Sequence, residues 1–187
     1  SGRREIVSEE ITIETPQLHS RRLPSLLRSL LLPDVPTALL VHNPALDADW
    51  LRPLCADADR FLFDSGRLRS GQELAAVAQV LDELYPIGKK QVELMDLGWL
   101  RLWPWRLLIA SLYDTPESRK GLTTLHELQV GYAEGGEAAA LLLAGWLLGR
   151  LRLSPTATLQ EDGTVGLVPG SGSPVQRPVL LRLVKTP

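Results

Sequence analysis

The chain has 187 residues, of which 44% are hydrophobic and 22% are charged, and this composition is typical of a folded globular protein rather than a disordered one. Its formal net charge of −2 argues against a general nucleic-acid binder, because such proteins concentrate a basic excess on one face. The single cysteine, Cys55, excludes an internal disulfide and fits a reducing compartment, so we expect a cytoplasmic protein.

The longest apolar run, residues 138–149, holds twelve residues without a charge. A membrane-spanning helix needs about twenty such residues. We therefore interpret this run as part of a buried helix and expect no membrane association.

The first half of the chain alternates predicted helices and strands. The signals are leucine at helical spacing, short apolar runs bounded by turn residues, and a capping box at Ser70 and Glu73. In order, they predict an edge strand at 5–14, a helix at 24–32, a strand at 37–42, a helix at 47–58, a strand at 60–64 and a helix at 72–84. Such alternation favours parallel strands with right-handed crossovers. We predict a small sheet with parallel βαβ units in a subdomain covering residues 1–92.

The pattern changes in the second half. It predicts a helix at 104–113, a strand at 125–133, a buried helix at 137–153, a hairpin at 156–168 that turns at Asp162-Gly163, a flexible loop at 169–174 and a strand at 179–185. We predict that residues 93–187 form a smaller α+β subdomain, whose antiparallel layer packs on the first half. The fold class expected for the whole chain is α/β.

The common catalytic and metal-binding motifs are not found in the sequence. The three histidines lie in unrelated contexts without zinc spacing, and there is neither a phosphate-binding glycine loop nor a nucleophile elbow. Ser65, in the turn Asp64-Ser65-Gly66, is the nearest candidate for an exposed nucleophilic serine, but such a triplet after a strand is usually only a turn that caps a helix. We expect no metal, no cofactor and no enzymatic activity.

Polar residues at the ends of the predicted strands leave a small-molecule site open as an alternative. Ligands of open α/β sheets bind outside the carboxyl ends of the strands, and His42, Asp64 and Ser65 lie there. A module that senses a sugar phosphate or nucleotide through these residues is therefore a second hypothesis. Against it, aspartates such as Asp34, Asp64 and Asp96 commonly cap helices and start turns.

Three of the five tryptophans lie within the stretch DLGWLRLWPWRLLIA, residues 96–110. Trp105 begins an apolar stripe at helical spacing with Leu108, Ile109 and Leu112, so we expect Trp105 to face the core. Pro104 is suited to the first turn of that helix.

The residues before this helix suggest a surface for a partner protein. Trp99, Arg101 and Trp103 would share one face if the segment were extended. Tryptophan and arginine are enriched at the energetic centres of protein interfaces and pair through cation–π contacts. We predict Trp99, Arg101, Trp103 and Arg106 as partner-binding residues.

The same stretch carries a family resemblance. The spacing Asp96-Leu97-x-Trp99-x-Arg101-Leu102-x-x-Trp105-Arg106 resembles the central signature of the OpcA family, the glucose-6-phosphate dehydrogenase assembly proteins. Further matches follow the family order: the strand at Glu9-Glu10-Ile11, the segment Leu31-Leu32-Pro33-Asp34-Val35-Pro36, the strand ending in Asp64-Ser65, and the helix Ala140 to Leu147. Two positions depart from the family pattern, since Gly98 replaces a frequent asparagine and Trp103 replaces a small polar residue.

The resemblance implies a non-enzymatic protein that binds glucose-6-phosphate dehydrogenase in the oxidative pentose phosphate pathway. Such a protein would promote the enzyme's active oligomer or raise its affinity for substrate. The resemblance also implies a further N-terminal region before residue 1. Some relatives are linked to thioredoxin-dependent control, but the single Cys55 excludes an internal redox disulfide in this chain.

Overall fold

A computed structural model of the protein describes residues 10–13, 23–32, 35–42, 48–84 and 92–187. The chain divides into two compact units, residues 1–35 and 36–187. In the first unit, α1 (Leu23–Leu30) confirms the predicted leucine-rich helix, and its Leu26 and Leu30 are exposed. The edge strand predicted at 5–14 lies mostly outside the described residues, and residues 10–13 are not in a strand.

The second unit begins with a parallel three-stranded sheet, in the order β1 (Ala38–Val41), β2 (Arg60–Phe63), β3 (Glu93–Asp96). The helices α2 (Ala48–Cys55) and α3 (Gly71–Leu84) connect these strands, which confirms the predicted βαβ units. β3 was not predicted from the sequence, because a four-residue strand with an acidic residue at each end gives no apolar run. Residues of α2, β2 and α3 form one hydrophobic core with Leu68, Val92 and Ala138: Leu51, Cys55, Phe61, Phe63, Val77 and Leu84.

The start of α3 shows the capping box with one change. Ser70 Oγ accepts a hydrogen bond from Glu73 N at 3.2 Å, as predicted. The Glu73 carboxylate accepts in return from Arg69 N at 2.6 Å, one residue before the expected donor.

A four-stranded mixed sheet follows, in the order β4 (Glu127–Tyr132), β7 (Val179–Lys185), β6 (Thr164–Pro169), β5 (Leu153–Pro155). The pairs β5–β6 and β6–β7 are antiparallel as predicted, whereas β4 pairs with β7 in parallel, so the predicted antiparallel layer is a mixed sheet. Parallel neighbours need a long crossover, and the helix between β4 and β5 supplies it. Alternation of apolar residues identified these strands but carries no information about their direction.

That helix, α7 (Glu137–Leu151), joins the two cores. Ala138 packs in the core of the first sheet, whereas Ala140, Ala144 and Leu151 pack in the core of the second. The predicted burial is therefore confirmed in part, because Gly145, Gly149 and Arg150 are exposed. Among the described residues, none of the helices has the length and apolar character that crossing a membrane requires.

Two short helices, α4 (Leu97–Arg101) and α5 (Trp103–Ser111), follow β3 and contain the tryptophan-rich stretch. A further helix, α6 (Pro116–Lys120), then leads towards β4.

Candidate functional site

The carboxyl ends of β2 and β3 are tied together by one aspartate. Asp96, the last residue of β3, accepts hydrogen bonds on Oδ1 from Gly98 N and from Ser65 N, each at 2.9 Å. The first bond caps α4, and the second holds the turn after β2. Asp96 therefore acts as the cap that the sequence also allowed, and it fixes the direction in which α4 leaves the sheet.

A second aspartate, Asp64, holds the other end of α4. The Arg101 guanidinium donates to both carboxylate oxygens of Asp64, with Nη2 to Oδ2 at 2.9 Å, and Gly66 N donates to Oδ1 at 3.1 Å. The hydrogen bonds from Arg101 are the main reason why the pKa of Asp64 is lower than its ordinary value, and they raise the pKa of Arg101 in turn. Asp64 is thus an ionised carboxylate whose oxygens are already engaged.

The turn after β2 and the start of α4 form what we call the corner. The predicted nucleophile Ser65 lies inside it. Its exposed fraction is 1%, and its Oγ has no hydrogen-bond partner within the described part of the chain. A Cβ on Gly98 would overlap this hydroxyl and lie 2.5 Å from Gly66 N, so the two turns approach this closely because residue 98 has no side chain. The expectation of an exposed serine was therefore wrong, and the departure at Gly98 from the family pattern has a steric reason.

The alternative small-molecule residues share one edge of the sheet. His42 directly follows β1 and Asp64 directly follows β2, and the register sets Val41 opposite Phe63. His42 is exposed, whereas Asp64 is bonded to Arg101 and Ser65 is buried. Over residues 10–13, 23–32, 35–42, 48–84 and 92–187, no three His, Cys, Asp or Glu side chains converge to hold a metal ion.

The tryptophan-rich stretch is helical rather than extended. Asp96 caps α4, Leu102 lies buried between the two helices, and Pro104 occupies the first turn of α5. The common extended face predicted for Trp99, Arg101 and Trp103 was therefore wrong. A helix starts before Trp99 because the Asp96 side chain accepts a hydrogen bond from Gly98 N, one of the N–H groups that have no partner within the first turn.

Trp105 is 59% exposed, so the prediction that it faces the core was also wrong. Of the other members of its stripe, Leu108 is 55% and Leu112 is 62% exposed, whereas Ile109 is half-buried. Helical spacing shows that these residues share a face, but it does not show what that face meets.

The half-buried side chain of Arg106, in α5, contacts Trp99 of α4 and so links the two helices. Its guanidinium lies 3.6 Å from the centre of the Trp99 ring and 5.5 Å from that of Trp103, and Nη2 donates to Trp99 O at 3.2 Å. Its Nε is buried without a hydrogen-bond partner in the described residues. Of the four predicted partner-binding residues, Arg101 and Trp103 are exposed, while Trp99 and Arg106 are half-buried and hold α4 against α5.

Six large apolar side chains of this helix pair are exposed by between 46% and 62%: Leu100, Trp103, Trp105, Leu107, Leu108 and Leu112. We call this set the α4–α5 surface. Exposed apolar side chains concentrated on one element mark interaction sites more often than single ones do. The sequence did contain a signal for it, because α5 is apolar all round and a helix of that kind needs a cover on every side.

One family model matches a range that contains this helix pair. Residues 92–178 match the family model described as the C-terminal domain of a glucose-6-phosphate dehydrogenase subunit, a range that runs from just before β3 to just before β7. No solved structure is significantly similar to the chain.

Three curated relatives carry the name putative OxPP cycle protein OpcA. That of Synechocystis sp. is 27% identical over 97% of this chain and 38% of its own length. That of Synechococcus elongatus is 27% identical over 87% of the chain and 35% of its own length. That of Nostoc punctiforme is 40% identical over 44% of the chain and 17% of its own length.

The chain thus spans less than two fifths of the length of these relatives. The similarity to OpcA proteins extends along nearly the whole chain, and the family domain contains all of the α4–α5 surface. The chain is therefore similar to the OpcA proteins along nearly its whole length, and its residues 92–178 match the C-terminal domain of a glucose-6-phosphate dehydrogenase subunit.

Proposed function

We propose that this chain is a non-enzymatic assembly factor that binds glucose-6-phosphate dehydrogenase in the oxidative pentose phosphate pathway. The observation that carries the proposal is the α4–α5 surface, whose six exposed apolar residues lie within the domain that the family model describes as belonging to a dehydrogenase subunit. Removal of apolar area from water is favourable by about 25 cal/mol per Å², and this gain opposes the entropy lost when two proteins associate. A partner that covers the α4–α5 surface therefore gains this free energy. We expect the complex to form in the cytoplasm.

The helix pair has the rigidity that a docking surface needs. Asp96 caps α4 at one end, Arg101 is held by Asp64 at the other, and Arg106 stacks between the indoles of Trp99 and Trp103. Side chains positioned in this way lose little further conformational entropy on binding. In the proposed complex Trp103 and Trp105 contact the dehydrogenase, whereas Trp99 and Arg106 support them.

Activation of the dehydrogenase requires only a difference in affinity. If the chain binds the active conformation or oligomer more tightly than the inactive one by about 1.4 kcal/mol, the population of the active form relative to the inactive form rises about tenfold. No catalytic group of the chain is needed for this effect.

The test is steady-state activity of the dehydrogenase from the same organism, with and without the chain. We expect a saturable fall in KM or rise in kcat, together with co-elution of the two proteins. Trp105→Ala and Leu108→Ala should weaken binding, with a loss of about 2 kcal/mol or about thirtyfold for a tryptophan at the centre of the interface. Leu159→Ala is the matched control, because Leu159 is exposed outside the helix pair.

Unchanged kinetics and no co-elution with the wild-type chain would contradict the proposal. The rival hypothesis, a metabolite-sensing module at His42, Asp64 and Ser65, is tested by thermal shift with glucose 6-phosphate, 6-phosphogluconate and NADP⁺. A ligand present at about a hundred times its Kd stabilises the folded state by about 2.7 kcal/mol. An adaptor protein without a metabolite site shows no such shift.

A further inference from the structure

Two arginines converge on the single carboxylate of Asp64. Arg101 binds it through two nitrogens, and Arg67 Nε lies 3.8 Å from Oδ2. The side chains of Arg101 and Arg67 are 60% and 56% exposed, whereas that of Asp64 is only 10% exposed. The corner therefore shows two cations to the solvent and shelters the anion beneath them.

The Asp64 carboxylate accepts no hydrogen bond from the Arg67 guanidinium. Its Oδ1 already accepts from Gly66 N and Arg101, and its Oδ2 accepts from Arg101 at 2.9 Å. A separation of 3.8 Å is too long for a hydrogen bond, so Arg67 takes part only in a longer-range ion pair. The described residues give the Arg67 guanidinium no hydrogen-bond acceptor, and its donors remain available to a further anion.

The other acid of the corner, Asp96, also stabilises the charge of Arg101, but unlike the two guanidinium groups its side chain is not exposed. Asp96 directs Oδ1 to the backbone N–H groups of Ser65 and Gly98, and it is half-buried. A positive outer face is thus built into a chain whose net charge is −2. This face adjoins the α4–α5 surface, because Arg101 ends α4 and Trp103 begins α5 two residues later.

We propose that Arg67 and Arg101 form a cationic rim of the α4–α5 surface, and that this rim receives a carboxylate of the dehydrogenase. The inference rests on the proposed function and adds the chemistry of the partner: an apolar patch with an acidic side chain at its edge. Guanidinium groups suit this role, because their planar donors bind a carboxylate through two parallel hydrogen bonds. A second copy of this chain fits less well, because a symmetric contact through the rim would oppose arginine to arginine.

Substitution of Arg67 tests the inference without breaking the Asp64–Arg101 hydrogen bonds that hold α4, because the Arg67 side chain makes none of them. We compare the binding of wild type, Arg67→Gln and Arg67→Glu to the dehydrogenase by surface plasmon resonance at about 0.05 M and about 0.5 M salt, where screening differs strongly. We expect about 3- to 10-fold weaker binding for Arg67→Gln and more than about 10-fold for Arg67→Glu, mainly in the association rate. The differences should shrink at high salt. Arg177→Gln and Arg177→Glu, at an exposed arginine outside the helix pair, should bind within about twofold of wild type.

Three outcomes would overturn the inference in distinguishable ways. If Trp105→Ala weakens binding while both Arg67 variants bind like wild type, the rim is not used and the proposed function stands. If wild type does not bind the dehydrogenase at all, the proposed function itself fails. If light scattering shows a homo-oligomer that Arg67→Glu dissociates, while dehydrogenase binding is unchanged, the rim serves a second copy instead.

Discussion

The helices α5 and α7 have similar compositions and opposite environments. Each is rich in leucine, contains tryptophan and holds a single arginine. α7 places Ala138 in one core and Ala140, Ala144 and Leu151 in the other. α5 has no buried residue. Apolar composition therefore predicts that a helix needs a cover, but it does not predict whether the chain itself provides that cover.

The residue sizes explain which helix the fold covers. The buried positions of α7 are mostly alanine, so neighbouring elements approach its backbone closely and pack against it on two sides. α5 instead carries bulky side chains at Trp103, Trp105, Leu107 and Leu108. Large side chains that protrude from a rigid helix suit a pocket on another protein better than a close internal contact.

The sharpest test of this contrast is the same substitution in both helices. Leu151→Ala in α7 removes a side chain that is 9% exposed, and we expect the free energy of unfolding to fall by about 2–4 kcal/mol. Leu108→Ala in α5 removes one that is 55% exposed, and we expect a change of about 0.5 kcal/mol or less. Urea unfolding measures both. Equal losses would show that α5 is packed as firmly as α7.

Two glycine substitutions test the close contact between the start of α4 and the turn after β2. Gly98→Ala brings a methyl group against Ser65 Oγ and Gly66 N, and we expect a loss of about 1–3 kcal/mol. Gly145→Ala on the exposed face of α7 meets nothing within 4 Å, so the higher helix propensity of alanine should stabilise the protein by about 0.5–1 kcal/mol. Thermal unfolding of the two variants compares them. A tolerated Gly98→Ala would mean that the two turns are not in tight contact.

The pH dependence of stability tests whether Cys55 is buried in the core of the first sheet. Burial raises the pKa of its thiol to about 11. Above pH 9 the unfolded chain loses this proton while the folded chain keeps it, so stability falls as the pH rises from about 9 to about 11. The free energy of unfolding of wild type relative to Cys55→Ala should decline over this range. A constant difference would show that the thiol is not buried.

The Asp64–Arg101 pair should give the smallest effect, because Arg101 is exposed and water screens its charge. The pKa of Asp64 is lower in the folded state than its ordinary value of 3.8, so the stabilisation by the carboxylate is present above that pH. It is lost as the pH falls through the folded-state pKa. We expect the stability advantage of wild type over Asp64→Asn to shrink between about pH 5 and about pH 2. An advantage that does not change with pH would contradict a bound carboxylate.

Much of the fold follows from local patterns. The strand β7 lies at the predicted residues 179–185, and the helices α3 and α7 begin within one residue of their predicted starts. Such elements are predictable because their signals are local: a capping box, an unbroken apolar period, a turn at Asp162-Gly163. The strand β3 and the parallel direction of β4 lacked any local signal and were missed.

The candidate site was predictable as a region but not in its detail. The sequence singled out Trp99, Arg101, Trp103 and Arg106, and the structure brings all four into one helix pair. It did not show that Asp64 holds Arg101, or that Arg67 lies beside them, because Arg101 is more than thirty positions from Asp64 and Arg67 in the chain. Contacts of that range depend on how β2 and β3 pair.

By itself, the sequence determined where most of the helices and strands lie, that the first sheet is built from parallel βαβ units, and which family the chain resembles. These properties depend on side-chain periodicity and on motifs within a few residues. Only the tertiary structure decided which apolar helix is covered and which is open, because burial depends on elements far apart in the chain. It therefore placed Trp105 on the surface and Ser65 inside, against expectation from the local pattern.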